Sequence, residues 1–167
     1  MKHDTVLITG ASSGLGRSLA LTLARPGRRL FLGGRNSQRL TDTARQCISR
    51  GAAADIRLCD VTDRLAMEEW IHTTGPLDMV LACAGITGGT RRAPDPDDAP
   101  YEPDAQIRRM ITTNVEGVLN TLLPACRSCG ASQGRRTACA GDSAPFHLSQ
   151  ELYPIPEHPH IVHPRRQ

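Results

Sequence analysis

Three glycines, Gly10, Gly14 and Gly16, stand in the stretch ITGASSGLGRSLA, between a short apolar run and an amphipathic one. Glycines at this spacing can wrap a phosphate. Gly10 permits a tight turn, Gly14 lets the backbone approach a pyrophosphate, and Gly16 lets a helix pack closely on the strand before it. The helix opening near Gly16 aims free N–H groups and the positive end of its dipole at the phosphates. Ser12, Ser13 and Leu15 fill the remaining positions of the same candidate cradle. The glycine spacing alone would fit a generic turn equally well. A strand before it and a helix after it favour the nucleotide reading.

That cradle needs a scaffold, and the chain supplies one. The runs TVLIT (5–9), RLFLG (29–33), DIRLC (55–59) and DMVLACA (78–84) read as strands bounded by glycine or polar residues. Between them, 16–25, 37–50 and 64–73 carry apolar residues at helical spacing, as in Leu40, Ala44, Cys47 and Ile48. Strands alternating with helices predict a doubly wound parallel α/β sheet with right-handed crossovers, of Rossmann type, in strand order 3-2-1-4. Its ligand lies at the carboxyl ends of strands one and four, where the order reverses. A loop rich in proline and aspartate follows, and helical periodicity resumes over 104–123. Residues 1–124 form the expected nucleotide-binding domain, and 125–167 an irregular, disordered tail. Strand four is then an apolar edge with unpaired backbone groups, open to self-association.

Composition bounds the function further. The 167 residues suit one domain, and with aromatics at 3% the core must come from Leu, Ile, Val and Ala. A net charge of +3 without clustered basic residues argues against a nucleic-acid partner. No signal peptide or membrane span is visible, so the protein is expected to be soluble and cytoplasmic, with its six cysteines reduced. Cys126 and Cys129 with Cys139 and His147 could be imagined around zinc, but one Cys-x-x-Cys lacking its second half falls short, and no metal site is expected.

Cofactor choice is read at the end of strand two, in FLGGRN. An acidic residue there would bond a ribose 2′-hydroxyl, whereas an arginine pairs with a 2′-phosphate. Gly34 is followed by Arg35 with no acid, which favours NADP(H) over NAD(H). A solvated surface arginine is the alternative.

Over about residues 4–124 the chain resembles the short-chain dehydrogenase/reductase family. TGASSGLG resembles that family's Thr-Gly-x-x-x-Gly-x-Gly loop. CDVT resembles its Asp-Val element after strand three, which implies that Asp60 and Val61 border the adenine. ACAG resembles its Asn-Asn-Ala-Gly, keeping Ala84 and Gly85 while Ala82 and Cys83 replace both asparagines, a change expected to weaken the turn after strand four. TTNVEGVLNTLLP resembles its helix-five segment, which implies that Asn114 is the family's structural and proton-relay asparagine. Singly, Asp60 reads as a strand-end cap and Asn114 as a satisfied helical polar group; the order in which the motifs follow one another is what is specific. The resemblance implies an oxidoreductase moving hydride between a nicotinamide dinucleotide and a carbonyl or secondary alcohol, of unknown identity.

The family's chemistry also needs a Tyr-x-x-x-Lys, in which the lysine lowers the pKa of the tyrosine that handles the proton. Free tyrosine, at about 10, titrates too high to serve unaided. Here the two tyrosines are Tyr101 and Tyr153, the sole lysine is Lys2, and Glu157 follows Tyr153. No Tyr-x-x-x-Lys exists in these residues. With permitted codons, reading the stretch from Pro159 onward one base out of frame gives Ala-Tyr-Ser-Ala-Ser-Lys-Ala-Ala, so the tail is expected to be out-of-frame translation beginning after Pro124. Two further readings stay open: a non-catalytic nucleotide-binding or interaction module, and a fragment without function.

Overall fold

The structure is a computed structural model that describes residues 4–88, 103–129, 137–141 and 144–148. The chain forms β1 (Asp4–Thr9), α1 (Gly14–Leu23), β2 (Arg28–Gly34), α2 (Ser37–Ser49), β3 (Ala53–Leu58), α3 (Arg64–Thr73) and β4 (Met79–Ala82). After the loop come α4 (Asp104–Ile111), a π-helical turn at Thr112–Glu116, α5 (Gly117–Cys129), β5 (Thr137–Gly141) and β6 (Ala144–Leu148).

β1 is the central strand. It pairs in parallel with β2, setting Val6 opposite Leu30, and with β4, setting Ile8 opposite Leu81. β3 joins the far side of β2, so the expected 3-2-1-4 order is present. Successive β1 side chains point to opposite faces, and both faces are covered. Val6 and Ile8 join Leu30, Leu32, Leu40 and Cys47 in a core under α1 and α2. Leu7 joins Phe31, Met67, Trp70, Ile71 and Val80 in a second core under α3 and α5. Burial on both faces explains why the strand reads as an unbroken apolar run rather than an alternating one.

The sheet goes further than the sequence suggested. β5 pairs in parallel with β4 through Leu81 and Ala138, and β6 runs antiparallel to β5. The edge expected at β4, offered as a surface for self-association, is therefore covered. Thr137–Gly141 and Ala144–Leu148, expected to belong to an irregular tail, are strands. The sequence hid them because each is only five residues long and neither holds a sustained apolar alternation. The histidine- and proline-rich end of the tail, with its out-of-frame reading, lies outside the described residues, as do Tyr101 and Tyr153.

Two of the expected helices have different bounds in the structure. α1 stops at Leu23 with Ala24 already extended, two residues before Pro26, in the region where proline disfavours helix. The helix expected over 104–123 is interrupted by the π turn and then runs through Pro124 to Cys129. Its apolar period is real, yet Ile107, Ile111, Val115, Leu119 and Leu123 face outward, while Leu122 and Ala125 enter the core. No helix among the described residues is long and apolar enough to cross a membrane.

Candidate cofactor-binding site

At the carboxyl ends of β1, β2, β3 and β4 the chain leaves a cleft of about 270 Å3. The β1–α1 turn contributes Gly10, Ser12, Ser13, Gly14 and Leu15. The ends of β2 and β3 contribute Arg35, Asp60 and Val61, and the segment after β4 contributes Ala84 and Gly85. Of the residues singled out as cofactor-binding, Gly16 alone stands behind the cleft wall.

The three glycines have separable physical reasons. Gly10 has φ +68°, and a Cβ there would lie 2.8 Å from backbone atoms of Cys83 and Ala84. It is glycine because the chain leaving β4 passes directly against the turn. A Cβ on Gly16 would lie 2.5 Å from the Gly10 carbonyl oxygen, so its absence lets α1 close onto that turn. Gly14 differs: its φ is +53°, and a Cβ would meet nothing within 4 Å. The space beside it is open to the cleft, as a cradle for a phosphate group requires.

Capping sharpens this contrast. Asn36 Oδ1 accepts from the Arg39 N–H at the start of α2, and Asp63 Oδ1 from the Ala66 N–H at the start of α3. Ser13, at the same position on α1, makes no side-chain cap. The first N–H groups of α1, which in a helix have no intrahelical acceptor, border the cleft and suit an anionic ligand. The residues present fit a dinucleotide diphosphate.

The segment after β4 is held from two directions. Thr9 Oγ1 accepts from the Cys83 and Ala84 N–H groups at 3.2 and 3.3 Å. The Asn114 side chain grips Ile86 at both ends: its Oδ1 accepts from the Ile86 N–H, and its Nδ2 donates to the Ile86 carbonyl, each at 2.9 Å. These bonds answer the weakness expected from losing two asparagines at Ala82 and Cys83. Asn114 can make them because it projects from the π turn, a local widening of the helix that recurs at functional sites. It does not line the cleft itself.

On the other rim, Asp60 Oδ1 accepts from the Thr62 N–H and hydroxyl at 3.0 and 2.9 Å, and its Oδ2 faces Arg35 Nη1 at 3.5 Å. Burial pushes the Asp60 carboxyl up, but the Thr62 bonds and Arg35 outweigh it and hold the group below its ordinary range. Asn120 Nδ2 donates to the Val61 carbonyl at 3.0 Å, and a Cβ on Gly117 would lie 2.5 Å from Val61 Cγ2. α5 thus fixes Val61, one of the two residues expected to border the adenine.

Sequence reasoning did not assign Thr9, Asn36, Arg39, Cys83 or Thr113 to the site. Arg39 lines both this cleft and an adjoining hollow of about 590 Å3 that also borders Arg17 and Arg45. Its spacing after Arg35 was the available signal, since it lies on the first turn of α2 beside the end of β2. Among the described residues no group of three His, Cys, Asp or Glu is placed to hold a metal ion.

The family model for short chain dehydrogenases matches residues 4–135. An oxidoreductase of Myxococcus xanthus strain DK1622, itself uncharacterised, is 41% identical over 126 residues, covering 73% of this chain and 47% of that protein. An alcohol dehydrogenase of the archaeon Thermococcus sibiricus, solved with 5-hydroxy-NADP, superposes with a TM-score of 0.66 at 30% identity, covering 76% of this chain and 53% of that one. A xylitol dehydrogenase bound to NAD+ superposes with the same TM-score at 27% identity, covering 76% and 48%. The chain belongs to the short-chain dehydrogenase family, and it spans about half the length of these relatives. Its relatives hold both NADP-type and NAD-type dinucleotides.

Proposed function

We propose that this chain is the cofactor-binding half of a short-chain oxidoreductase, that it takes NADP(H) in preference to NAD(H), and that the 167 residues do not turn over a carbonyl or alcohol by themselves. The carrying observation is the β1–α1 turn, where a closed Gly10 and Gly16 flank an open Gly14 at the uncapped start of α1. The diphosphate would lie against Ser12–Leu15, the adenine against Asp60 and Val61, and a 2′-phosphate at Arg35. When bound, the dinucleotide supplies or accepts the hydride.

The described residues of the cleft bind and orient, and the sequence holds no Tyr-x-x-x-Lys to move the proton. General acid catalysis of a carbonyl reduction contributes typically about 10²–10⁴-fold. Asn114 uses both ends of its amide on Ile86, so its role is to position the loop beyond β4. Neither tyrosine has a lysine four residues on.

Titrating NADPH and NADH into the chain while following nicotinamide fluorescence tests this. NADPH should bind more tightly than NADH, Arg35→Ala should erase the difference, and Gly14→Val should abolish binding of both by filling the open space. Equal affinities in the wild type would count against the assignment of Arg35. Turnover that scales with chain concentration and is lost on Asn114→Ala would overturn the claim that these residues lack a proton donor.

A further inference from the structure

The rim of the cleft carries one more assignment, which rests on the NADP(H) reading. We infer that Asp60 is a selectivity-positioning residue, and that by holding Arg35 it weakens this chain's own preference for a 2′-phosphorylated dinucleotide. Arg35 and Asp60 come from neighbouring strand ends, and both line the cleft. Their ion pair spans 3.5 Å between Nη1 and Oδ2. The two partners are unequally held. Asp60 is tied through its other oxygen to both the N–H and the hydroxyl of Thr62, in a turn closed by the Asp63 N–H donating to the Asp60 carbonyl at 3.1 Å. Arg35 is 58% exposed, and its only recorded ion pair among the described residues is with Asp60.

A guanidinium that meets a 2′-phosphate must turn from Asp60 or share itself between two anions. The carboxylate stays where Thr62 fixes it and repels the incoming phosphate across a short distance. NADH carries a neutral 2′-hydroxyl at that position, so it feels no charge repulsion from Asp60 and draws less on the pair. Asp60 therefore costs NADPH something that it does not cost NADH, while any contact it makes with the adenine is common to both. The pair is partly exposed, so its effect is modest and screened by salt.

The experiment is a set of dinucleotide titrations on the full chain: wild type, Asp60→Asn, Arg35→Ala and the double variant, each with NADPH and NADH at low and high salt. Asn keeps an oxygen to accept from Thr62, so the turn survives; Asp60→Ser serves if that variant does not fold, as judged by Trp70 emission. Asp60→Asn should raise the NADPH-to-NADH affinity ratio about two- to fivefold, with less effect at high salt. The rise should vanish in the Arg35→Ala background, because the effect acts through that guanidinium. A wild-type chain that binds neither dinucleotide overturns the cofactor reading and this inference with it. Binding with an unchanged ratio in Asp60→Asn, or an equal rise without Arg35, overturns this inference alone.

Discussion

Gly10 and Gly14 sit in the same motif, and both have positive φ, yet a side chain at each should have a different outcome. At Gly10 an added methyl meets backbone of Cys83 and Ala84 at 2.8 Å, and backbone has nowhere to go. Gly10→Ala should lower stability by about 2–4 kcal/mol, combining left-handed strain with overpacking. Gly14→Ala meets nothing within 4 Å and should lose only about 1 kcal/mol. Urea denaturation of the two variants checks the pair, and equal losses would contradict this account of the turn. The motif itself was legible because glycine spacing is local. The support for its far wall was not: Thr9 reaches Cys83 and Ala84 across 74 and 75 residues, and no local pattern announces a hydroxyl that takes over from missing asparagines. Arg35 was visible as a charge after a strand, but its pairing with Asp60 depends on how two strand ends meet.

The elements were legible wherever periodicity decides them. β1 through β4 and the three helices between them follow from alternating apolar runs, and their order follows from the handedness of crossovers. What periodicity cannot tell is which side of a helix will be left bare, or where five residues will widen into a π turn. Element contacts also hinge on single small residues. A Cβ on Gly33 in β2 would lie 2.6 Å from the Trp70 ring on α3, and 3.2 Å from Cys59 Sγ, a thiol that burial pushes up to about 11. Gly33→Ala must displace the chain's one tryptophan from the sheet. It should cost about 1–3 kcal/mol and shift Trp70 emission to longer wavelength, whereas a variant with unchanged emission and stability would show that α3 packs more loosely than described.

On the scale of the whole molecule, the two cores on either face of the sheet leave an apolar row of the α4–α5 segment outside. Ile111 and Leu119 are 53% and 48% exposed, in a row with Ile107, Val115 and Leu123. With β4 covered by β5, this row and not the β4 edge is where concentrated protein should first become sticky. Ile111→Lys with Leu119→Lys should reduce light scattering at high concentration while changing stability by no more than about 0.5 kcal/mol per site. Undiminished scattering would move the liability elsewhere. The position of β1 has a consequence of another kind, in the order of synthesis. Thr5 donates through both its N–H and its hydroxyl to Asp78, and accepts from the Asp78 N–H, so the first strand made is clasped by residues that come 73 positions later. On the ribosome β1 can find β2 early, but its other edge stays bare until β4 has emerged. The earliest of the described strands is thus enclosed only after three others have been made, and the growing chain must carry its apolar side chains half-sheltered until then.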